Sequence, residues 1–414
     1  MASGPEEERG FPAGVFPEGG SFAEPAPLSA EAQFALDLFR AVPRLRVTPA
    51  IVLANVAVFV AMVVSGIDFF KPDALAMIPW GADFWPLTTG GQWWRVLTHA
   101  FLHFGIIHLA FNMWALSDAG RLVERFYGRL FFALIYLFGA VVGGLASAWW
   151  NPRAIAAGAS GAVFAAFGAL VAYLLAQPRV FPSHLLRSLA GSTLFFIGIN
   201  VVYGLSTPGI SNAAHLGGLG AGFALGLVLA RPLDLEARRR QLVPRLVLGT
   251  ALAGAALIVI LAFIPICTWD GHAEMQFRMA QGELIDEQSS LINAVKAILQ
   301  GDGRRPQSAE VRDQLVEQRI VPRWDALVER LEAIGVSPSS PSRAAYDLLL
   351  RYFRSRRDAV RALLEFNELA ARDDLDQADL LRQMDKQIEH QRLMHEGDQL
   401  IPQVEQAMKD AAGQ

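Results

Sequence analysis

The chain has 414 residues, 53% of them hydrophobic and only 18% charged, too apolar for an ordinary soluble protein of this size. A formal charge of -4 gives no basic surface for nucleic acid, and the single cysteine, Cys267, excludes an internal disulfide framework and a cysteine-rich metal site. The long charge-free runs fall between about residues 48 and 267, so the composition describes a membrane domain with polar flanks.

Residues 1–46 form the first segment. Up to about residue 30 it is rich in Pro, Gly, Glu and Ala and lacks the basic and apolar regions of a signal peptide, which reads as disordered and uncleaved. Residues 31–42, with Phe34, Leu36, Leu38, Phe39 and Val42, suit a short amphipathic helix. Seven runs then approach the ~20 residues that a ~30 Å hydrocarbon core requires: 48–66, 105–122, 129–150, 158–177, 183–204, 212–230 and 246–267. The second and sixth are the least apolar, because they carry His108, Asn112, Asn212, His215 and several glycines. Polar groups inside a span are costly and mark function or a buried partner.

Basic residues orient the spans. Arg40, Arg44, Arg46, Arg121, Arg125, Arg129, Arg179, Arg187, Arg231, Arg238, Arg239, Arg240 and Arg245 fall on one side, whereas the other has only Lys71, Arg95 and Arg153. The positive-inside rule puts the N-terminus in the cytoplasm, and seven spans put the C-terminus outside. Spans two, four and six then run from outside to inside. His103, His108 and Asn112, Ser160, and Asn212 with His215 lie near their beginnings, so three polar clusters meet at one depth below the outer face. The outer segment 67–104 carries Phe69, Phe70, Trp80, Phe84, Trp85, Trp93 and Trp94, an aromatic density that favours the headgroup region.

Ser160, in Gly158-Ala159-Ser160-Gly161, needs a base, because a free hydroxyl is a poor nucleophile at neutral pH. His215 is the histidine at matching depth. Gly158, Gly161 and Gly168 on one span, and Gly218, Gly222 and Gly226 at i, i+4, i+8 on the other, would let the two helices approach closely. Ser160 sits near a helix N-terminus, where unpaired N–H groups favour negative charge, and His108 and Asn112, four residues apart, can donate from one helix face. His99 and His103 share the spacing of a metal pair but have no charged ligand beside them, and residue 162 is alanine, which breaks a Gly-x-Ser-x-Gly elbow.

Trp94-Arg95, His103-Phe104-Gly105-Ile106-Ile107-His108-Leu109-Ala110-Phe111-Asn112, Gly158-Ala159-Ser160-Gly161 and Ala214-His215-Leu216-Gly217-Gly218 resemble, in order and spacing, the rhomboid family of intramembrane serine proteases. The resemblance covers about residues 48 to 230. It implies that Ser160 is the nucleophile, His215 the base, and His108, Asn112 and the Ser160 N–H the oxyanion hole, with no third acid. Asn212, one turn before His215, then suits a helix cap or an orienting bond. The residue four after the serine is often a tyrosine stacked on the catalytic histidine in bacterial relatives; here it is Phe164, which keeps the ring and loses the hydroxyl. Gly158, Gly161 and His103 complete the site's surroundings.

The region after Cys267 reads as four helices, 272–300, 307–335, 341–373 and 375–411, broken at Gly301-Asp302-Gly303, Pro338-Ser339-Ser340-Pro341 and Arg372-Asp373-Asp374. Leu348, Leu349, Tyr352, Phe353, Val360 and Leu363 recur at helical spacing, as in a bundle core, while His272, His390 and His395 read as solvated.

The sequence thus describes an all-α membrane protein: a rhomboid-like six-helix transmembrane bundle (47–230), a linker and seventh transmembrane helix (231–267), and an extracytoplasmic helical domain (268–414). Expected is a serine endopeptidase of a bacterial inner or plasma membrane, using no metal or organic cofactor. Its partners are the lipid bilayer and membrane proteins cut in or near a transmembrane segment, with a small residue at the cleavage position implied by the resemblance. A non-proteolytic rhomboid-like chaperone, or a transporter relaying protons through His103, His108 and His215, would instead tolerate loss of the Ser160 hydroxyl.

Overall fold

The computed structural model describes residues 28–300, 308–372 and 374–412. Helix α1 (Ala30–Ala41) starts where Ser29 Oγ accepts the Ala32 N–H, and it lies against the membrane domain, its Phe34 ring 5.2 Å from that of Phe181. Next come α2 (Val47–Val64), a folded segment, 67–104, with β1 (Asp83–Phe84), α3 (Trp85–Thr89) and α4 (Arg95–Thr98), and then α5 (Ile106–Tyr127) and α6 (Arg129–Trp150). Strand β2 (Ile155–Ala156) leads into α7 (Ser160–Ala176), followed by α8 (Ser183–Ser206), α9 (Asn212–Leu229) and α10 (Leu235–Phe263).

This is an integral, multi-pass membrane protein. By length and composition α2, α6, α8, α9 and α10 can each cross a bilayer, and Arg95–Phe101 with α5 makes a sixth candidate, bent by 95°. Helix α7 is apolar but has only 17 residues, about 26 Å at the α-helical rise. It is also the most enclosed, with most of its residues buried from Gly161 to Leu174.

That enclosure follows from small residues. A Cβ on Gly218 would lie 2.0 Å from the Gly161 carbonyl oxygen, and one on Gly222 2.0 Å from that of Ala165, so α9 rests backbone to backbone on α7. Helix α6 joins the seam, where a Cβ on Gly139 would come within 2.1 Å of the Ala165 Cβ. Lipid supplies no hydrophobic drive between helices, so such close backbone packing, with its dispersion attraction, is what holds them. Tyr127 on α5 spans the seam, its hydroxyl bonding to Ala169 O (2.8 Å) and Gly226 O (3.1 Å). At the same end Glu124, fully buried, accepts the N–H groups of Arg46, Val47 and Thr48 and the Thr48 hydroxyl, which pins the start of α2.

Segment 67–104 is more ordered than its aromatic composition suggests. The Arg95 side chain, 5% exposed, donates to Ile78 O (2.7 Å), Ala82 O (2.8 Å) and Gln92 Oε1 (2.7 Å) and gathers the loop around itself. Asp83 bonds to the Thr88 hydroxyl; its burial pushes the carboxyl up, opposed by His99, Thr88 and Arg95. Trp85 and Phe84 are buried, while Phe70, Trp93 and Trp94 remain exposed at the rim. The antiparallel β1–β2 pair, with Asp83 opposite Ala156 and Phe84 opposite Ile155, is one feature that helical periodicity did not announce.

Helix α10 begins at Leu235, earlier than the apolar run alone indicated, because Asp234 caps it by accepting the Ala237 N–H (2.7 Å). Its far end packs beside Trp85, whose indole N–H donates to Pro265 O (2.9 Å), so the chain leaves the membrane domain on the Ser160 side. There α11 (Gly271–Gln300), α12 (Ala309–Arg319), α13 (Val321–Ile334), α14 (Arg343–Ala370) and α15 (Gln377–Ala412) pack around Trp324, Leu331, Leu349 and Phe353. The expected helix 307–335 is two, broken at Ile320 ahead of Pro322, which cannot donate within a continuous helix. The Gly301–Gly303 break lies outside the described residues. His390 is not simply solvated: its Nδ1 lies 2.7 Å from Ala359 O.

Gly222→Ala should lower the unfolding free energy by roughly 3 kcal/mol through overpacking against α7. Gly220→Ala, with nothing within 4 Å of its Cβ, should leave the melting temperature in detergent unchanged.

Candidate active site

Ser160 is the first residue of α7, and no side chain caps that helix among the described residues. The first intrahelical bond reaches back from Val163 to Ala159, which leaves the N–H groups of Ser160 and Gly161 facing outward from the helix end. Gly158 is not part of the helix, as the apolar run implied, but of the loop before it, with φ +143. Its N–H donates to His99 O (2.9 Å), and a Cβ there would lie 2.9 Å from His108 Cε1 and 3.9 Å from Ser160 Oγ. Only glycine lets that loop pass between the His108 ring and the serine.

His108 stands on the first turn of α5. The Phe104 N–H donates to its Nδ1 (3.3 Å), so the neutral ring carries its proton on Nε2, the nitrogen nearer Gly158. His103, fully buried, sets its ring edge against that of His108 at 5.2 Å. Neither of its ring nitrogens has a hydrogen-bond partner among the described residues, so its observed contribution is packing. Asn112 Nδ2 donates to His108 O (2.9 Å), which fixes the carboxamide one turn below and leaves its second N–H free.

His215 stands on the first turn of α9, 7% exposed, with its ring parallel to Phe164 at 4.3 Å between centroids and 5° between planes. Its turn is brought to that of Ser160 by the glycine seam: a Cβ on Gly161 would lie 3.4 Å from Ala214 O. No hydrogen bond joins Ser160 Oγ to His215 among the described residues. Catalytic hydrogen bonds in unliganded sites are often long and tighten only with substrate. The His215 Nδ1 likewise has no partner among the described residues, so no carboxylate orients the ring; Phe164 does.

Asn212 does not cap α9. Ser211 does, its Oγ accepting the Ala214 N–H (3.2 Å) and pairing with Ser147 Oγ of α6 (2.9 Å). Asn212 instead donates to Val201 O (3.2 Å) and ties α9 to α8. Ser211 was legible as a cap, since serine directly ahead of a helical run is a preferred first residue. Its pairing with Ser147, 64 residues away, was not.

The loop carrying Ser160 is braced from outside. Strand β2 ends two residues before Gly158 and pairs with β1. Arg278 of α11 lies over the Phe84 ring (5.4 Å), donates to Arg153 O (3.4 Å) and Ala411 O (3.1 Å), and pairs with the buried Glu274 at 2.7 Å. Gly271 sits so close to Pro86 that a Cβ would fall 2.5 Å from its carbonyl carbon.

Residues 90–232, which hold His103, His108, Asn112, Ser160 and His215, match the Rhomboid domain model. The Rhomboid protease GluP of Bacillus subtilis is 40% identical over 156 residues, 38% of this chain and 30% of that protein. RHOMBOID-like protein 6, mitochondrial, of Arabidopsis thaliana is 33% identical over 211 residues, 44% of this chain and 68% of that protein. Rhomboid-like protease 1 of Toxoplasma gondii is 32% identical over 166 residues, 39% of this chain and 56% of that protein. The chain thus spans less than a third of the Bacillus protein and just over two thirds of the Arabidopsis one. With a helical membrane bundle built on the α7–α9 seam, and a relative matched over most of its length, this chain belongs to the rhomboid family.

Proposed function

We propose that this protein is an intramembrane serine endopeptidase with Ser160 as nucleophile and His215 as base. The observation that carries the reading is the meeting of two helix starts, where the open α7 terminus with its hydroxyl faces the first turn of α9 with a histidine held by an aromatic ring. Family membership and the resemblance to a rhomboid protease support it.

In this mechanism His215 takes the Ser160 proton as Oγ adds to the scissile carbonyl carbon. The oxyanion receives hydrogen bonds from the Ser160 N–H, His108 Nε2–H and the second Asn112 N–H, and the α7 dipole adds to them. The intermediate collapses as the proton passes to the leaving amine and the C–N bond breaks. Water, deprotonated by the same histidine, then attacks the ester carbon, and the serine recovers its proton as the acyl product leaves. Without an acid partner, the imidazole depends on its stack with Phe164 for orientation. The substrates are membrane proteins whose transmembrane segment unwinds at the cleavage point. The N-terminus would be cytoplasmic, α10 would be a seventh span, and residues 268–414 would lie on the outer face with the site. Arg278 and Met275, against the β1–β2 pair, would hold the nucleophile loop in shape.

In liposomes carrying a single-span substrate, Ser160→Ala and His215→Ala should each abolish cleavage, and a fluorophosphonate should label the wild type but not Ser160→Ala. Cleavage that survives Ser160→Ala overturns the mechanism. Asn112→Ala should lower kcat about 10² to 10³-fold with KM little changed, as for the loss of an oxyanion donor. Phe164→Tyr should keep kcat within a few-fold, whereas Phe164→Ala, which frees the imidazole, should reduce kcat roughly tenfold or more; equal rates for the two would remove the stack from the mechanism.

A further inference from the structure

At the end of the membrane domain opposite Ser160, two buried guanidinium groups meet with no carboxylate paired to either among the described residues. Arg231, between α9 and α10, is 5% exposed, and Arg238, in the first turns of α10, is 6% exposed. Arg231 donates to Arg238 O (2.8 Å) and Tyr127 O (2.6 Å) and lies 4.2 Å over the Phe131 ring. Arg238 reaches Arg125 O at 3.5 Å. Two of these carbonyls belong to the end of α5, whose dipole amounts to about half a negative charge, against two full positive ones. Arg245 adds a third cation, bonded to Val228 O (2.6 Å). Arg231 Nε and Arg238 Nη1 are buried with no hydrogen-bond partner among the described residues.

Three carboxylates of the neighbouring elements are engaged elsewhere. Glu124 is saturated by the start of α2, Asp234 caps α10, and Glu236 pairs with Arg240. Burial, with the like charges of Arg238 and Arg245, pushes the Arg231 guanidinium down to about 10. Buried charges without a counter-ion are strongly destabilising, so this pair calls for one.

The two side chains converge on a single open point. A Cβ on Gly128 would lie 3.4 Å from Arg231 Nη2 and 3.4 Å from Arg238 Nη2, and apart from its chain neighbours no other heavy atom of the described residues comes within 4 Å of it. Gly128, with φ +84, forms the half-exposed turn between α5 and α6 at the boundary of the membrane domain. The geometry points to an anion site in which Arg231 and Arg238 hold a phosphate group at the Gly128 turn, supplied by an anionic phospholipid headgroup or by a soluble phosphate. Forked N–H donors match phosphate oxygens, and guanidinium tolerates burial better than ammonium does. This site stands whatever Ser160 does.

The test uses full-length protein stripped of lipid, titrated in detergent with phosphatidylglycerol, phosphatidylcholine or inorganic phosphate at constant ionic strength. Bound lipid is read by native mass spectrometry and stability by melting temperature. The wild type should bind phosphatidylglycerol at least tenfold more tightly than phosphatidylcholine, and Arg231→Gln with Arg238→Gln should erase that preference. Arg238→Lys, which keeps the charge and loses the fork, should retain it in weakened form. Stabilisation by inorganic phosphate that competes with phosphatidylglycerol identifies a soluble ligand, and stabilisation by phosphatidylglycerol alone identifies a lipid. If the Gln variants do not fold, the wild-type arms decide. Equal affinity for the two lipids with no effect of phosphate overturns the site, as does an undiminished preference in folded Gln variants.

Discussion

Backbone contact between α7 and α9 is the constraint on which the rest of the molecule depends. With Gly218 and Gly222 pressed on the Gly161 and Ala165 carbonyls, the two helix starts cannot separate, and the residues on their first turns share one depth. A larger residue at either glycine would force the axes apart and move His215 away from the α7 terminus. The seam also explains how α7 can be short: it is enclosed by α5, α6 and α9 and has little need to match lipid.

A second constraint acts on the other side of the site. Arg95 satisfies buried carbonyls of segment 67–104 that would otherwise lack a partner, and so turns an aromatic-rich loop into a folded unit. The β1–β2 pair extends that unit to the loop before Ser160. Order therefore reaches the serine from two directions, through the helix seam below and the strand pair above.

Much of this was legible in the chain. Hydropathy marked seven runs, of which the folded chain offers five helices able to cross a bilayer and a bent sixth, while the i, i+4, i+8 glycines marked the α7–α9 contact because their period fixes one helix face. The placement of Gly158 was not legible, since an apolar run does not reveal that its first residues belong to a loop with positive φ. Ser211 was readable as a cap of α9, but its bond to Ser147 of a distant helix was not. The β pair escaped because two residues carry no period. Arg231 and Arg238 counted toward orientation but gave no sign of burial, which arises only when the α5–α6 turn and the α9–α10 link fold together.

The contact between the membrane domain and helices α11–α15 also bears on biogenesis. Trp85 and Pro265 are 180 residues apart in the chain, as are Gln92 and His272, and the Arg153 carbonyl waits for Arg278. When the last helix of the membrane domain has just been synthesised, segment 67–104 still lacks the partners that cover it. The face beside the Ser160 loop therefore closes only after residues 265–278 have been synthesised.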